Sequence, residues 1–333
     1  MTKYNIAIDL GNENTTIYKA GGAVVLKEPT LIAFDTHNRK KILNSVGIKA
    51  KKLIGKTNMS IDIYSPIDRS EIVDSSMMQI LMNEFLGKIK GESLFQPQYN
   101  ALFTVPCGLN DEEKLEYKRL GYACGFSDVT LVPASVCALL GMGVSHADTQ
   151  SHMVVNLGGG VTDIAVVNSS HIVSGITVNL GGIDIDNTIC DYMQRQHGLS
   201  ISAKQAERIK IELGSLLKND TRSMFVDGVD CNNNLQEILI YSREIRDIFV
   251  AYFEKVAQSI NTVLADCSSE VISDISRAGI YLCGGISQII GVDRFLATKL
   301  NLPVYVHDEG EFSTIFGAGV LINNSELVDK IRL

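Results

Sequence analysis

The sequence predicts an α/β protein built twice over, as two lobes that each open on a strand, a tight glycine turn and a second strand. Three observations predict it. Asp9-Leu10-Gly11-Asn12-Glu13-Asn14-Thr15 and Asn156-Leu157-Gly158-Gly159-Gly160-Val161-Thr162 are near copies, each lying between apolar runs. Strand-length apolar runs alternate with helical stretches along the rest of the chain, which implies layered α/β architecture. The 333 residues, 45% of them apolar and only six of them proline, suffice for about two domains with sizeable cores.

The elements follow in order. Strands are expected at about 4–10, 15–20, 23–27 and 30–34, then a lysine-rich segment to about Ser65. A helix should begin near Asp74 and end near Lys90. Asn100 to Val105 is a buried strand. Asp111 to Gly125 is a helix with Asp111, Glu112 and Glu113 in its first turn, where the helix dipole favours them. Val129 to Val132 is a strand and Ala134 to Gly143 an apolar helix. The second half repeats the order: strands at 152–157, 162–167 and 171–178, then helices at 184–197 and 203–218. Asn232, Asn233 and Asn234 mark a surface loop. A long helix runs from about Arg243 to Asp266, Ile280-Tyr281-Leu282 is a strand, and a helix near 291–300, a strand at 303–306 and a helix after Ser313 close the chain. The boundaries expected are a first lobe over 1–145, with a small inserted subdomain at about 30–73 and the C-terminal helix (about 313–333) returning to it. The second lobe covers 146–312, with an insert at about 185–249.

Composition excludes several classes. A net charge of −8 argues against a nucleic-acid coating protein, whose footprint would be basic. The cluster of Lys49, Lys51, Lys52 and Lys56 is read as a solvated loop face. Seven scattered cysteines without a C-x-x-C pair, several in apolar segments, suit a reducing cytoplasmic compartment. The histidines show no metal-ligand spacing. Met1 to Asn5 runs straight into a strand, leaving no room for a signal peptide, and no run is long and apolar enough to span a bilayer.

A glycine turn between strands lets backbone N–H groups converge on an anion, because no Cβ blocks the approach. Two such turns facing each other could clasp a nucleotide's phosphates from both sides. Further motifs follow in order: Lys27-Glu28-Pro29-Thr30, Val105-Pro106 before Asp111-Glu112-Glu113, Leu180-Gly181-Gly182-Ile183-Asp184, the segment Ala206 to Gly214, Leu282-Cys283-Gly284-Gly285, and Phe316-Gly317-Ala318-Gly319. In this order and spacing the chain resembles the actin superfamily, and within it the bacterial MreB-like actins, over nearly its whole length. The resemblance implies a duplicated actin-like (ribonuclease H-like) fold with a nucleotide cleft between the lobes, and ATP or ADP with Mg²⁺ as cofactors. It makes Asp9, Gly11, Asn12, Asn14 and Thr15 the first phosphate loop, with Asp9 organising the water shell of the metal. It makes Gly158, Gly159, Gly160 and Thr162 the cradle of the β- and γ-phosphates. Glu207 and Lys210 would reach the ribose and adenine, Gly182 would approach the ribose and phosphates, and Gly284, Gly285 and Ile286 would close over the adenosine. Asp184 is read as a helix N-cap rather than a ligand.

The departures from the family pattern cluster on hydrolysis. Ala134 stands where these proteins carry a water-orienting Glu, and Ser135 where a Pro follows it. Asn156 replaces the carboxylate of the second phosphate loop, and Val161 replaces a Thr that helps hold the same water. Asn12 and Ile183 also differ. General-base help alone is worth ~10²–10⁴-fold, so the expectation is a nucleotide-binding MreB-like protein with weak or absent hydrolysis and therefore no catalytic residue to name. The resemblance further implies self-assembly into filaments, and contact with the inner membrane face through the apolar pair Leu94-Phe95, weak because no N-terminal amphipathic helix is present. A non-polymerising adaptor or scaffold is the competing reading. A sugar kinase or chaperone-type ATPase is disfavoured, for want of a catalytic Asp base or a substrate-binding domain.

Overall fold

A computed structural model describes residues 5–36, 41–55, 61–90 and 99–333. The first lobe opens with β1 (Ile6–Leu10), β2 (Asn14–Lys19), β3 (Ala23–Pro29), β4 (Ile32–Asp35) and β5 (Ile42–Val46). Helix α1 (Ile48–Lys51), β6 (Ile61–Tyr64), β7 (Ile67–Asp68) and β8 (Glu71–Ile72) follow. Then come α2 (Ser75–Lys90), β9 (Asn100–Val105), α3 (Asp111–Ala123), β10 (Asp128–Pro133) and α4 (Ala134–Gly141). The second lobe contains β11 (His152–Leu157), β12 (Thr162–Asn168), β13 (His171–Val178), α5 (Gly182–His197), α6 (Ala203–Leu213), β14 (Ser223–Val229) and β15 (Leu235–Tyr241). It continues through α7 (Ser242–Ala265), α8 (Ser269–Ala278), β16 (Ile280–Cys283), α9 (Val292–Leu300) and β17 (Val304–Val306). Helices α10 (Ser313–Ile322) and α11 (Ser325–Ile331) end the chain.

Two five-stranded sheets carry the molecule, in the orders β10-β9-β1-β2-β3 and β13-β12-β11-β16-β17. Numbered in chain order within its own sheet, each runs third, second, first, fourth, fifth. In each, the first three strands are antiparallel and the last two run parallel to the first. The duplication seen in the sequence is thus a duplication of topology.

The inner strands β1, β9, β11 and β12 are buried on both faces, which is why they read as largely apolar runs. In β1, Ile6 and Ile8 point into the first lobe's own core, packed with Phe85, Phe103 and Leu131. Ala7, on the opposite face, joins a separate core shared by the lobes. In β11, Met153 and Val155 face the second lobe's core and Val154 faces the shared one. Helices α4 and α10 fill that shared layer. They cross backbone to backbone: a Cβ on Gly141 would lie 1.9 Å from Ser313 O, and one on Gly317 would lie 1.7 Å from Cys137 O.

Several elements depart from expectation. The lysine-rich segment holds β5, α1 and β6. The helix expected over 203–218 stops at Leu213, because Gly214 leaves helical geometry (ψ 119°) where Phe249 and Ile289 crowd it. The ribbon β14–β15 and helix α8 were not expected. The final helix is two, broken at Asn323-Asn324, where the Asn324 side chain caps α11 by accepting from Leu327 N.

Candidate functional site

The two glycine turns are built alike. Gly11 N donates to Asn14 O at 3.1 Å and Gly158 N to Val161 O at 3.0 Å. The second turn is also tied from behind, where the first amides of α5 are spent on it: Gly182 N donates to Gly158 O and Ile183 N to Gly159 O. The turns oppose each other closely. A Cβ on Gly160 would sit 2.5 Å from Asn12 Oδ1, and one on Gly159 2.3 Å from Glu13 Cγ. Between the lobes lies a cleft of about 520 Å³, within the ~300–1,000 Å³ usual for small-molecule sites.

Twelve of the residues expected at the site wall this cleft: Asp9, Gly11, Asn12, Asn14, Gly158, Gly159, Gly160, Glu207, Lys210, Gly284, Gly285 and Ile286. Gly284 carries a positive φ of 83°, and a Cβ there would strike Leu157 O at 2.3 Å. Three expected residues lie behind the wall. Thr15 is buried with its hydroxyl 3.0 Å from that of Thr30, and the Thr162 hydroxyl donates to Leu180 O at 2.7 Å. Gly182 sits under the wall, where a Cβ would meet Lys210 Nζ and Ile286 Cδ1 at 3.0 Å. Leu94 and Phe95 lie outside the described residues.

At the floor, Asp9 and Thr104 are register partners on β1 and β9, and the Thr104 hydroxyl donates to Asp9 Oδ1 at 2.6 Å. Protein surrounds Asp9 while its carboxylate opens on the cleft. This burial raises its pKa, and the Thr104 bond opposes the shift. Asp163, 2% exposed, also reaches the wall. Its Oδ1 accepts from Cys107 N and the Thr177 hydroxyl, and its Oδ2 has no partner. Burial raises its pKa, against those two bonds. Sequence reasoning missed Asp163, although one carboxylate in the apolar run of β12 was the available signal. The replaced positions Ala134, Asn156 and Val161 all face the cleft.

Glu207 and Lys210 do not pair with each other. Glu207 holds Lys51 of the first lobe at 2.9 Å. Lys210, 7% exposed, holds Asp186 at 2.7 Å and donates to Gly182 O. Burial lifts the Asp186 carboxyl to about 6, and Lys210 opposes the lift. Two more pairs cross between the lobes, Lys27 with Glu311 and Arg69 with Asp184. Asp184 is the third residue of α5. The N-cap of α5 is Gly181, not Asp184, whose Oδ2 accepts from Gly181 N and closes the cap from within the first turn.

The doubled sheet order, with its opposed turns on one cleft, is an actin-like fold. A family model described as MreB/Mbl protein matches residues 3–330. The chain belongs to the MreB/Mbl family. It is 29% identical to the cell shape-determining protein MreB of Escherichia coli K12, over 99% of this chain and 95% of that protein. Among solved structures it is similar to MreB5 of Spiroplasma citri bound to AMPPNP, with a TM-score of 0.92 at 28% identity, covering 99% of this chain and 98% of that one. MamK, solved as a double helical filament, shares the fold, with a TM-score of 0.79 at 16% identity over 95% and 98% of the two chains. No helix among the described residues is long and apolar enough to cross a membrane.

Proposed function

We propose that this chain is an ATP-binding, MreB-like cytoskeletal protein that assembles into filaments and hydrolyses ATP very slowly or not at all. The observation that carries the reading is the pair of opposed glycine turns walling a nucleotide-sized cleft whose Ala134, Asn156 and Val161 supply neither carboxylate nor hydroxyl. The AMPPNP complex of the similar MreB5 supports a nucleotide there. Main-chain groups of the turns grip the phosphates, and Gly284, Gly285 and Ile286 lie beside the nucleoside. Asp9 is the residue to hold Mg²⁺ through its water shell. A buried carboxylate of raised pKa suits a cation carried in by phosphates, and Mg²⁺ keeps several waters and takes few protein ligands. Bound there, the ion neutralises phosphate charge. Residues 1–145 with 313–333, and 146–312, are the two bodies that close on the nucleotide.

Self-association is the partner reading, at the cytoplasmic face of the membrane, with Leu94 and Phe95 as a weak contact. Vesicle pelleting of wild type against Leu94→Ala/Phe95→Ala tests that contact, and equal pelleting removes it. The main test is a single-turnover assay with excess protein, alongside negative-stain microscopy with ATP. Filaments with ATP bound and phosphate release far below actin-like rates are expected. Bound ATP without filaments would favour the adaptor, and rapid phosphate release would mean a water is positioned after all.

A further inference from the structure

We propose that Arg69 is a positioning residue that clasps the two lobes behind the phosphate turns and sets how long a nucleotide stays, an inference resting on the nucleotide reading of the cleft. Arg69 and Ser70 form the two-residue turn between β7 and β8, with φ of 45° and 69°. Both lie in the left-handed region, where such a turn ordinarily takes Asn or Gly. Here the turn instead carries a long cationic side chain.

The hairpin is anchored on the first lobe at two points. The buried Tyr117 hydroxyl donates to Ser70 O at 2.9 Å, and Ser70 N donates to Asn12 Oδ1 of the first glycine turn at 3.4 Å. From that base the guanidinium reaches three segments of the second lobe. Nη2 donates to Asp184 Oδ1 at 2.8 Å and Nη1 to Asp184 Oδ2 at 3.2 Å, a two-pronged carboxylate contact. Nη1 also donates to Asn179 O at 2.8 Å and to Gly160 O of the second glycine turn at 3.4 Å. A planar fork suits this set of acceptors in a way that a lysine does not. One side chain therefore joins the first turn, through Ser70 and Asn12, to the second turn and the start of α5. The pairs Lys27–Glu311 and Lys51–Glu207 cross between the lobes too, but each joins single side chains. Opening the lobes must break the Arg69 contacts, so they slow release.

The test compares release of a fluorescent ATP analogue, by stopped flow, from wild type, Arg69→Ala, Arg69→Lys, Asp184→Asn and the double variant Arg69→Ala/Asp184→Asn. Asn keeps an acceptor for Gly181 N, so the helix cap survives. Release from Arg69→Ala should be about tenfold faster, an ordinary coupling between sites. Lys should fall between, and the double variant should add little to Arg69→Ala. Release from Arg69→Ala within about twofold of wild type, or effects that simply multiply, would overturn the clasp. Amide hydrogen exchange of the nucleotide-free proteins gives a second readout. Segments 158–162 and 179–184 should exchange faster in Arg69→Ala, and unchanged exchange would also overturn it. Failure of wild type to hold the analogue would sink the nucleotide reading instead, and exchange would still judge the clasp.

Discussion

Lys210 and Asp186 show how a residue chosen for one role is held by another. Sequence spacing places Lys210 on the same helical face as Glu207, and the fold buries it against Asp186, whose Oδ1 is left without a partner. A carboxyl at about 6 in the native state, against 3.8 ordinarily, binds more protons folded than unfolded between those values. Its contribution to stability therefore falls as pH rises from about 4 to about 6 and is level above. Asp186→Asn removes this titration. Urea midpoints should show the variant gaining on wild type as pH goes from 4 to 6, and a constant difference would mean that Asp186 titrates normally. Ala134 is the other telling residue. It is 5% exposed on the cleft wall, and its methyl can neither accept a proton nor orient a water.

At the scale of elements, the crossing of α4 and α10 is decided by glycine. Gly141 and Gly317 let two helix backbones touch in the layer between the sheets, where Ala7, Val154 and Ala318 are fully buried. Overpacking a core costs ~1–3 kcal/mol when side chains can shift. Here the obstacle is backbone, so Gly317→Ala should lose about 3 kcal/mol or more in chemical denaturation. A loss within ~0.5 kcal/mol would mean that the helices slide apart easily. The same layer joins the lobes, and among the described residues three ion pairs also cross between them. Single pairs near the surface, such as Lys27–Glu311, contribute little (~0–1 kcal/mol), whereas the half-buried, two-pronged Arg69–Asp184 contact holds more.

For the whole molecule, a duplicated body with a nucleotide between its halves can report the nucleotide by how far it closes. With Ala134, Asn156 and Val161 at the hydrolytic positions, filaments of the wild type should have no internal timer. Diluted filaments should lose light scattering at the same rate with ATP and with a non-hydrolysable analogue. Ala134→Glu should shorten only the ATP-loaded lifetime, by restoring the water-orienting carboxylate. Different wild-type lifetimes with the two nucleotides would show hydrolysis running through some other group, of which the orphaned Asp163 Oδ2 is the first to examine.

Local pattern in the chain was enough for the doubled α/β plan, both glycine turns and most strands of the two sheets, because apolar runs and backbone-permissive glycines are local necessities of those elements. It also marked twelve of the cleft-lining residues through motif order, and the three replaced positions. It did not find β14 and β15, though the alternation of buried Met224 and Val226 with exposed Phe225 and Asp227 is strand-like. Nor did it separate Thr15 and Thr162, which brace the turns from behind, from their neighbours on the wall. Packing in three dimensions is what brings Asp163 to the cleft with an unpaired oxygen, gives Glu207 and Lys210 separate partners, and carries Arg69 across to Asp184. Those outcomes depend on which groups are brought within hydrogen-bond reach by packing two sheets around α4 and α10, across 56 positions for Cys107 and Asp163, 115 for Arg69 and Asp184 and 156 for Lys51 and Glu207, and no local pattern of residues encodes that proximity.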